Sequence, residues 1–125
     1  MEANAMLGST MLQTAAWVFV ITALGGLAMA GIRFFGKRNP PVWLTMLHGL
    51  LAAAGVTLLL YAALAFGIPT MALVALVLFL VAALGGAVMN LNYQWKQRPL
   101  PAPLLIGHAL LAIIAFVLLL GAAFG

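Results

Sequence analysis

The sequence predicts an all-α fold: a four-helix transmembrane bundle built from two tandem two-helix repeats. Three observations predict it. The 125 residues are 67% hydrophobic and 5% charged, far too few ionisable side chains to clothe a water-facing surface. The apolar residues gather into four stretches, roughly 11–36, 42–67, 70–95 and 101–124. And the chain, slid along itself by 60 residues, repeats without a gap: Ala23-Leu24-Gly25-Gly26 returns as Ala83-Leu84-Gly85-Gly86, Met29 as Met89, Arg38 as Arg98, Pro41 as Pro101 and His48 as His108. A fixed-offset repeat sets the symmetry of a fold.

Each stretch exceeds the roughly 20 residues needed to cross a hydrocarbon core. Lipid admits only helices or closed barrels, and none of the stretches alternates with period 2, so all four are helices. The first carries Gly25-Gly26 and ends in the basic group Arg33, Lys37 and Arg38. The second follows Pro41 and carries His48, with Ala52 and Gly55 one and two turns further on. The third repeats the glycine pair and ends near Asn90 and Asn92, where the first has Ala30 and Ile32. The fourth follows Pro101 and carries His108, Ala112 and Ala115. Thr22, Thr45 and Thr57 are expected to bond back to their own helices.

Short connections make sequential helices antiparallel neighbours. Residues 1–125 therefore read as one integral-membrane domain, with repeat 1 at about 11–67 and repeat 2 at about 70–125. The first charge is Glu2 rather than a basic segment, so a cleaved signal peptide is not expected. There is no cysteine, which excludes disulfides, thiolate metal sites and thioether attachment of a haem.

All five basic residues (Arg33, Lys37, Arg38, Lys96 and Arg98) stand at the first and third connections. The positive-inside rule makes those loops cytoplasmic and puts both termini outside, in what the compact topology reads as a bacterial inner membrane. This topology accounts for the net charge of +4, and no nucleic-acid partner is expected.

Both repeats insert in the same direction, which relates them by an approximate two-fold axis along the membrane normal. The second and fourth helices then lie on a diagonal of about 11–14 Å. Symmetry puts His48 and His108 at one depth, about 10 Å beyond their prolines at 1.5 Å per residue. Two imidazoles reaching inward across that diagonal can share one metal at about 2 Å from each nitrogen. The glycine pairs come from the other diagonal at comparable depth, where a missing side chain lets a flat group or a second backbone approach. Ala52 and Ala112 hollow the histidine-bearing faces further. A porphyrin fits a slot of this kind, and its anionic propionates would find Arg33, Lys37, Arg38, Lys96 or Arg98 at the basic end. Arg33 shares a helical face with Gly26 and Met29 and is the best single partner.

The arrangement resembles the haem-carrying four-helix core of the cytochrome b family of quinol–cytochrome c oxidoreductases. The resemblance is architectural and rests on His48 and His108 on the second and fourth helices, with Gly25, Gly26, Gly85 and Gly86 on the first and third. It implies axial ligation of haem b by the two histidines and glycine contacts on the haem. That family carries two histidines on each ligating helix and two stacked haems. This chain has one histidine on each, which implies a single haem near the cytoplasmic side. Two axial nitrogens leave no open coordination position, so the expected activity is electron transfer with a quinone or a partner protein rather than oxygen activation.

Two other readings stay open. Small residues also let membrane helices pack closely with no cofactor, as in an assembly or interaction protein. Met29 and Met89 with the two histidines form a soft donor set suited to copper(I) binding or transport. A two-helix repeat can also close a site between protomers, so a homodimer belongs among the expected assemblies.

Overall fold

The computed structural model describes residues 1–125. Four helices run in order: α1 (Glu2–Phe35), α2 (Val42–Ala65), α3 (Thr70–Met89, prolonged by a π-helical turn at Asn90–Gln94) and α4 (Ala102–Phe124). There is no strand, and the four-helix bundle is the architecture predicted. All four helices are long and apolar enough to cross a membrane.

Proline sets three of the four starts. Pro41, Pro69 and Pro101 stand immediately before α2, α3 and α4, where a missing N–H costs nothing and the carbonyl still accepts the first helical bonds. Ends are set by left-handed residues: Gly67 after α2, and Lys37 and Gln97 in the two basic loops, at φ 53° and 52°. These two are 60 residues apart, so the repeat extends to the backbone of its turns.

Two boundaries differ from the sequence reading. α1 begins nine residues before the apolar stretch: residues 2–10 contain no proline, and Glu2, Ala3, Ala5, Met6 and Leu7 are good helix formers that carry the helix past Gly8 beyond what lipid contact requires. At 34 residues it is about 51 Å long at 1.5 Å per residue. The end of α3 is the second difference. Trp95 N–H bonds to the carbonyl of Asn90, five residues back, at 2.9 Å. A π turn holds one residue more than an α turn and rotates everything after it.

α1 packs chiefly on α2 and α3 on α4, and the two hairpins meet along a looser seam through α1–α4 and α2–α3. The diagonals are therefore α1–α3 and α2–α4. The core lies away from the basic loops: Leu12, Ala15, Ala16 and Phe19 of α1 match Ala72, Ala75, Leu76 and Phe79 of α3 at 60-residue spacing, facing Leu59, Ala115 and Leu119. Alanine dominates because lipid supplies no hydrophobic drive between helices, and close approach does the holding. Phe19 and Phe79 stack across the axis with centroids 3.8 Å apart. The edge of the Phe19 ring fills the space a Cβ would take on Gly55, 2.6 Å from its Cε2. Leu24, Leu27, Leu50, Leu84 and Leu110 point outward as a surface suited to lipid.

Candidate functional site

On α2 the inward residues are His48, Ala52, Gly55 and Leu59, and on α4 they are His108, Ala112, Ala115 and Leu119. A spacing of four, three and four keeps one face toward the bundle axis. Both histidines thus turn inward, half-buried, and meet across the seam with ring centroids 6.3 Å apart and planes at 66°. Ala52 and Ala112 share that face, also half-buried.

Each imidazole is fastened to the other helix of its own hairpin. His48 Nδ1 lies 2.9 Å from the carbonyl oxygen of Thr22, and His108 Nδ1 lies 2.7 Å from that of Ala82. A carbonyl only accepts, so Nδ1 carries the proton in both rings and Nε2 keeps its lone pair. The two nitrogens of an imidazole point nearly opposite ways, which turns each Nε2 away from its carbonyl anchor. A backbone-tied Nδ1–H with a free Nε2 is the usual setting of a metal-binding histidine.

The glycine pairs explain how the rings come so close to α1 and α3. A Cβ on Gly26 would sit 3.0 Å from His48 Cε1, and one on Gly86 would sit 3.3 Å from His108 Cε1. Gly25 and Gly85 approach the Nδ1 atoms of the same rings. The flat group that these glycines admit is the imidazole itself. Alanine in place of Gly26 would press the ring off its carbonyl.

Toward the basic loops the symmetry ends. Asn39 donates through Nδ2 to the Arg98 carbonyl at 2.7 Å and accepts from Leu100 N–H at 3.0 Å. Arg33 Nε donates to the Leu100 carbonyl at 3.0 Å, and Gln94 Nε2 donates to the Pro40 carbonyl at 2.7 Å. Four hydrogen bonds thus lace the first loop to the third. Between the loops lies a cavity of about 390 Å³, walled by Arg33, Lys37, Arg38 and Asn39 from repeat 1 and by Gln94, Gln97 and Pro99 from repeat 2, with Val42 at its edge.

Of the basic residues expected beside a propionate, Arg33, Lys37 and Arg38 wall this cavity. Arg98 instead lies over the Tyr93 ring, its Cζ 4.8 Å from the centroid. Met89 is buried and Met29 half-buried, one turn toward the loops from the glycine pairs. Thr22, Thr45 and Thr57 bond back to Val18, Pro41 and Ala53 as expected. Sequence reasoning misses the carbonyls of Thr22 and Ala82, which carry no side-chain signal. It also misses Gln94 and Asn39, whose counterparts in the other repeat are Phe34 and Pro99.

The donor set is small: no group of three or more histidine, cysteine or acidic side chains comes together anywhere in the chain. The chain matches no protein-family model, no curated protein and no solved structure.

Proposed function

We propose that the protein is a small integral-membrane b-type cytochrome in which His48 and His108 are the axial ligands of one haem b. The observation that carries this reading is the spacing of the imidazole pair. The rings lie with centroids 6.3 Å apart, each with Nδ1 on a backbone carbonyl, so His48 and His108 would hold one metal centre between them through Nε2. The donor set supports it too. Two imidazoles are fewer protein ligands than a zinc site takes, and are the full complement for iron already held by a macrocycle.

When bound, such a haem supplies one-electron transfer with no vacant position for oxygen. The rest is done by side chains and backbone of this chain. The Thr22 and Ala82 carbonyls hold Nδ1–H and leave Nε2 as the ligand atom. Gly25, Gly26, Gly85 and Gly86 give the rings room to reach those carbonyls. Arg33 keeps its terminal nitrogens for a propionate while its Nε is anchored. The single acidic side chain, Glu2, stands at the opposite end of α1 from the glycines that seat the histidines, which favours an electron carrier or subunit serving a quinone or a redox partner. The basic loops face the cytoplasm and both termini lie outside, in a bacterial inner membrane.

A visible spectrum tests this reading. Protein purified with haem supplied should show a Soret band and sharp reduced α and β bands, and His48→Ala and His108→Ala should each lose the six-coordinate low-spin signature. A colourless protein that takes up no added haem, or two variants with the wild-type spectrum, overturns it. In the first case, stoichiometric copper lost in Met29→Leu and Met89→Leu would point to the soft-donor site, and no metal at all to a cofactor-free bundle.

A further inference from the structure

Two helical turns from the imidazoles, on the side away from the basic loops, an aromatic pair blocks the bundle axis. Phe19 and Phe79 are buried and stack with centroids 3.8 Å apart and planes within 3° of parallel. Two counts give their depth. Phe19 lies seven residues before Gly26 on α1, and its ring abuts Gly55, seven residues after His48 on α2. Seven residues rise about 10 Å. Aromatic pairs prefer offset or edge-to-face arrangements to full face-to-face overlap, so the surrounding helices hold this one in place. Gly55 makes the room, since a Cβ there would meet the Phe19 ring at 2.6 Å.

The inward positions between this pair and the imidazoles are small: Thr22, Ala52, Ala82 and Ala112. The Thr22 hydroxyl is turned back to Val18 and adds nothing polar to the axis. Beyond the pair the bundle is closed, with Ala15, Ala75, Leu59 and Leu119 wholly buried. A layer of small side chains thus adjoins the histidines and ends at an aromatic plate. A haem ligated by His48 and His108, with its propionates toward Arg33, turns its opposite edge to that plate. On this edge haem b carries only short substituents, whereas other biological haems carry an isoprenoid tail there. We propose that Phe19 and Phe79 are the end wall of the haem slot and make it selective for haem b over a haem with such a tail. This rests on the cytochrome reading and adds to it the residues that choose the cofactor. The wall excludes the tail because its carbons would have to displace stacked rings or enter a close-packed core, which resists even a few added methylenes.

Full-length protein produced without haem, titrated in detergent with haem b and with haem o, tests the wall. Haem o carries a farnesyl-derived tail on the edge opposite the propionates. The low-spin spectrum reports seating, and competition between the two haems gives the ratio of their affinities. The wild type should favour haem b by about tenfold or more, the scale of penalty for forcing carbons into a packed interior. Phe19→Leu and Phe79→Leu shorten the wall and should each remove most of that preference. Both should keep the low-spin spectrum with haem b, which verifies an intact fold and both axial histidines. Leu12→Ala, in the same core but seven residues further along α1 from the slot, should leave the ratio at its wild-type value, since lost stability alone weakens both haems together. A ratio that survives both Leu variants, or that Leu12→Ala relaxes as much as they do, overturns the proposal. Uptake of both haems alike by the wild type overturns the wall alone. Uptake of neither overturns the cytochrome reading, and the wall with it.

Discussion

The histidine layer and the basic mouth lie only a few helical turns apart, yet the duplication left them in opposite conditions. In the layer, each repeat contributes the same parts: His48 with Gly25, Gly26 and the Thr22 carbonyl, and His108 with Gly85, Gly86 and the Ala82 carbonyl. At the mouth, Arg33 is matched by Tyr93, Phe34 by Gln94 and Asn39 by Pro99. An object gripped from two sides across an axis demands equal halves. The cavity at the mouth presents charge from repeat 1 on one wall and amides from repeat 2 on the other, so its halves are unequal. The contrast separates what the repeat keeps from what it has let diverge.

The largest effect should come from breaking the equality itself. His48→Ala and His108→Ala are expected to lose the low-spin haem spectrum to the same complete extent, read in reduced-minus-oxidised difference spectra. A variant pair in which only one matters would make the layer as unequal as the mouth.

Overpacking gives the next effect and sharpens the comparison within the layer. Gly26→Ala meets His48 Cε1 at 3.0 Å and Gly86→Ala meets His108 Cε1 at 3.3 Å. Thermal unfolding in detergent should report a loss of about 1–3 kcal/mol, larger for Gly26→Ala. Equal stability of both variants with the wild type would mean that the imidazoles do not rest on the glycines.

At the mouth, Asn39→Ala removes two hydrogen bonds between the loops. It should destabilise by about 1–2 kcal/mol in the same assay. Pro99→Ala, at the equivalent position, is expected to stay within about 0.5 kcal/mol, as surface changes usually do.

The smallest effect is the most specific. Thr22→Ala makes position 22 match Ala82 and removes only the bond to Val18. The anchor of His48 is the carbonyl, so the haem spectrum should be unchanged. A shift there would show that the Thr22 hydroxyl, not the backbone, orients the ring.

Legibility in the sequence followed the physical origin of each feature. The four spans were readable because lipid punishes any unsatisfied backbone, so length and hydropathy are nearly sufficient. The inward turn of His48 and His108 was readable because helix spacing ties them to Ala52, Gly55 and Leu59, and to Ala112, Ala115 and Leu119. The role of the glycines as seats for the imidazoles was half-readable: close approach follows from a missing side chain, but what approaches does not. The carbonyl anchors were unreadable, since every residue has a carbonyl and only packing selects which one a ring reaches. Gln94 was hidden by the π turn, whose extra residue changes the direction of each side chain after it.

The sequence by itself determined four apolar helices, their alternation and a two-fold relation between halves. Those follow from the bilayer as solvent and from a 60-residue repeat, both of which act on composition and order. The tertiary structure decided which atoms meet: a 6.3 Å imidazole pair, Nδ1 on carbonyl oxygen, and an amide oxygen left without a donor. Such contacts depend on how far two helices approach and how each is rotated. A change of one residue in a turn alters the rotation by about 100°, and no local pattern of residue types records it.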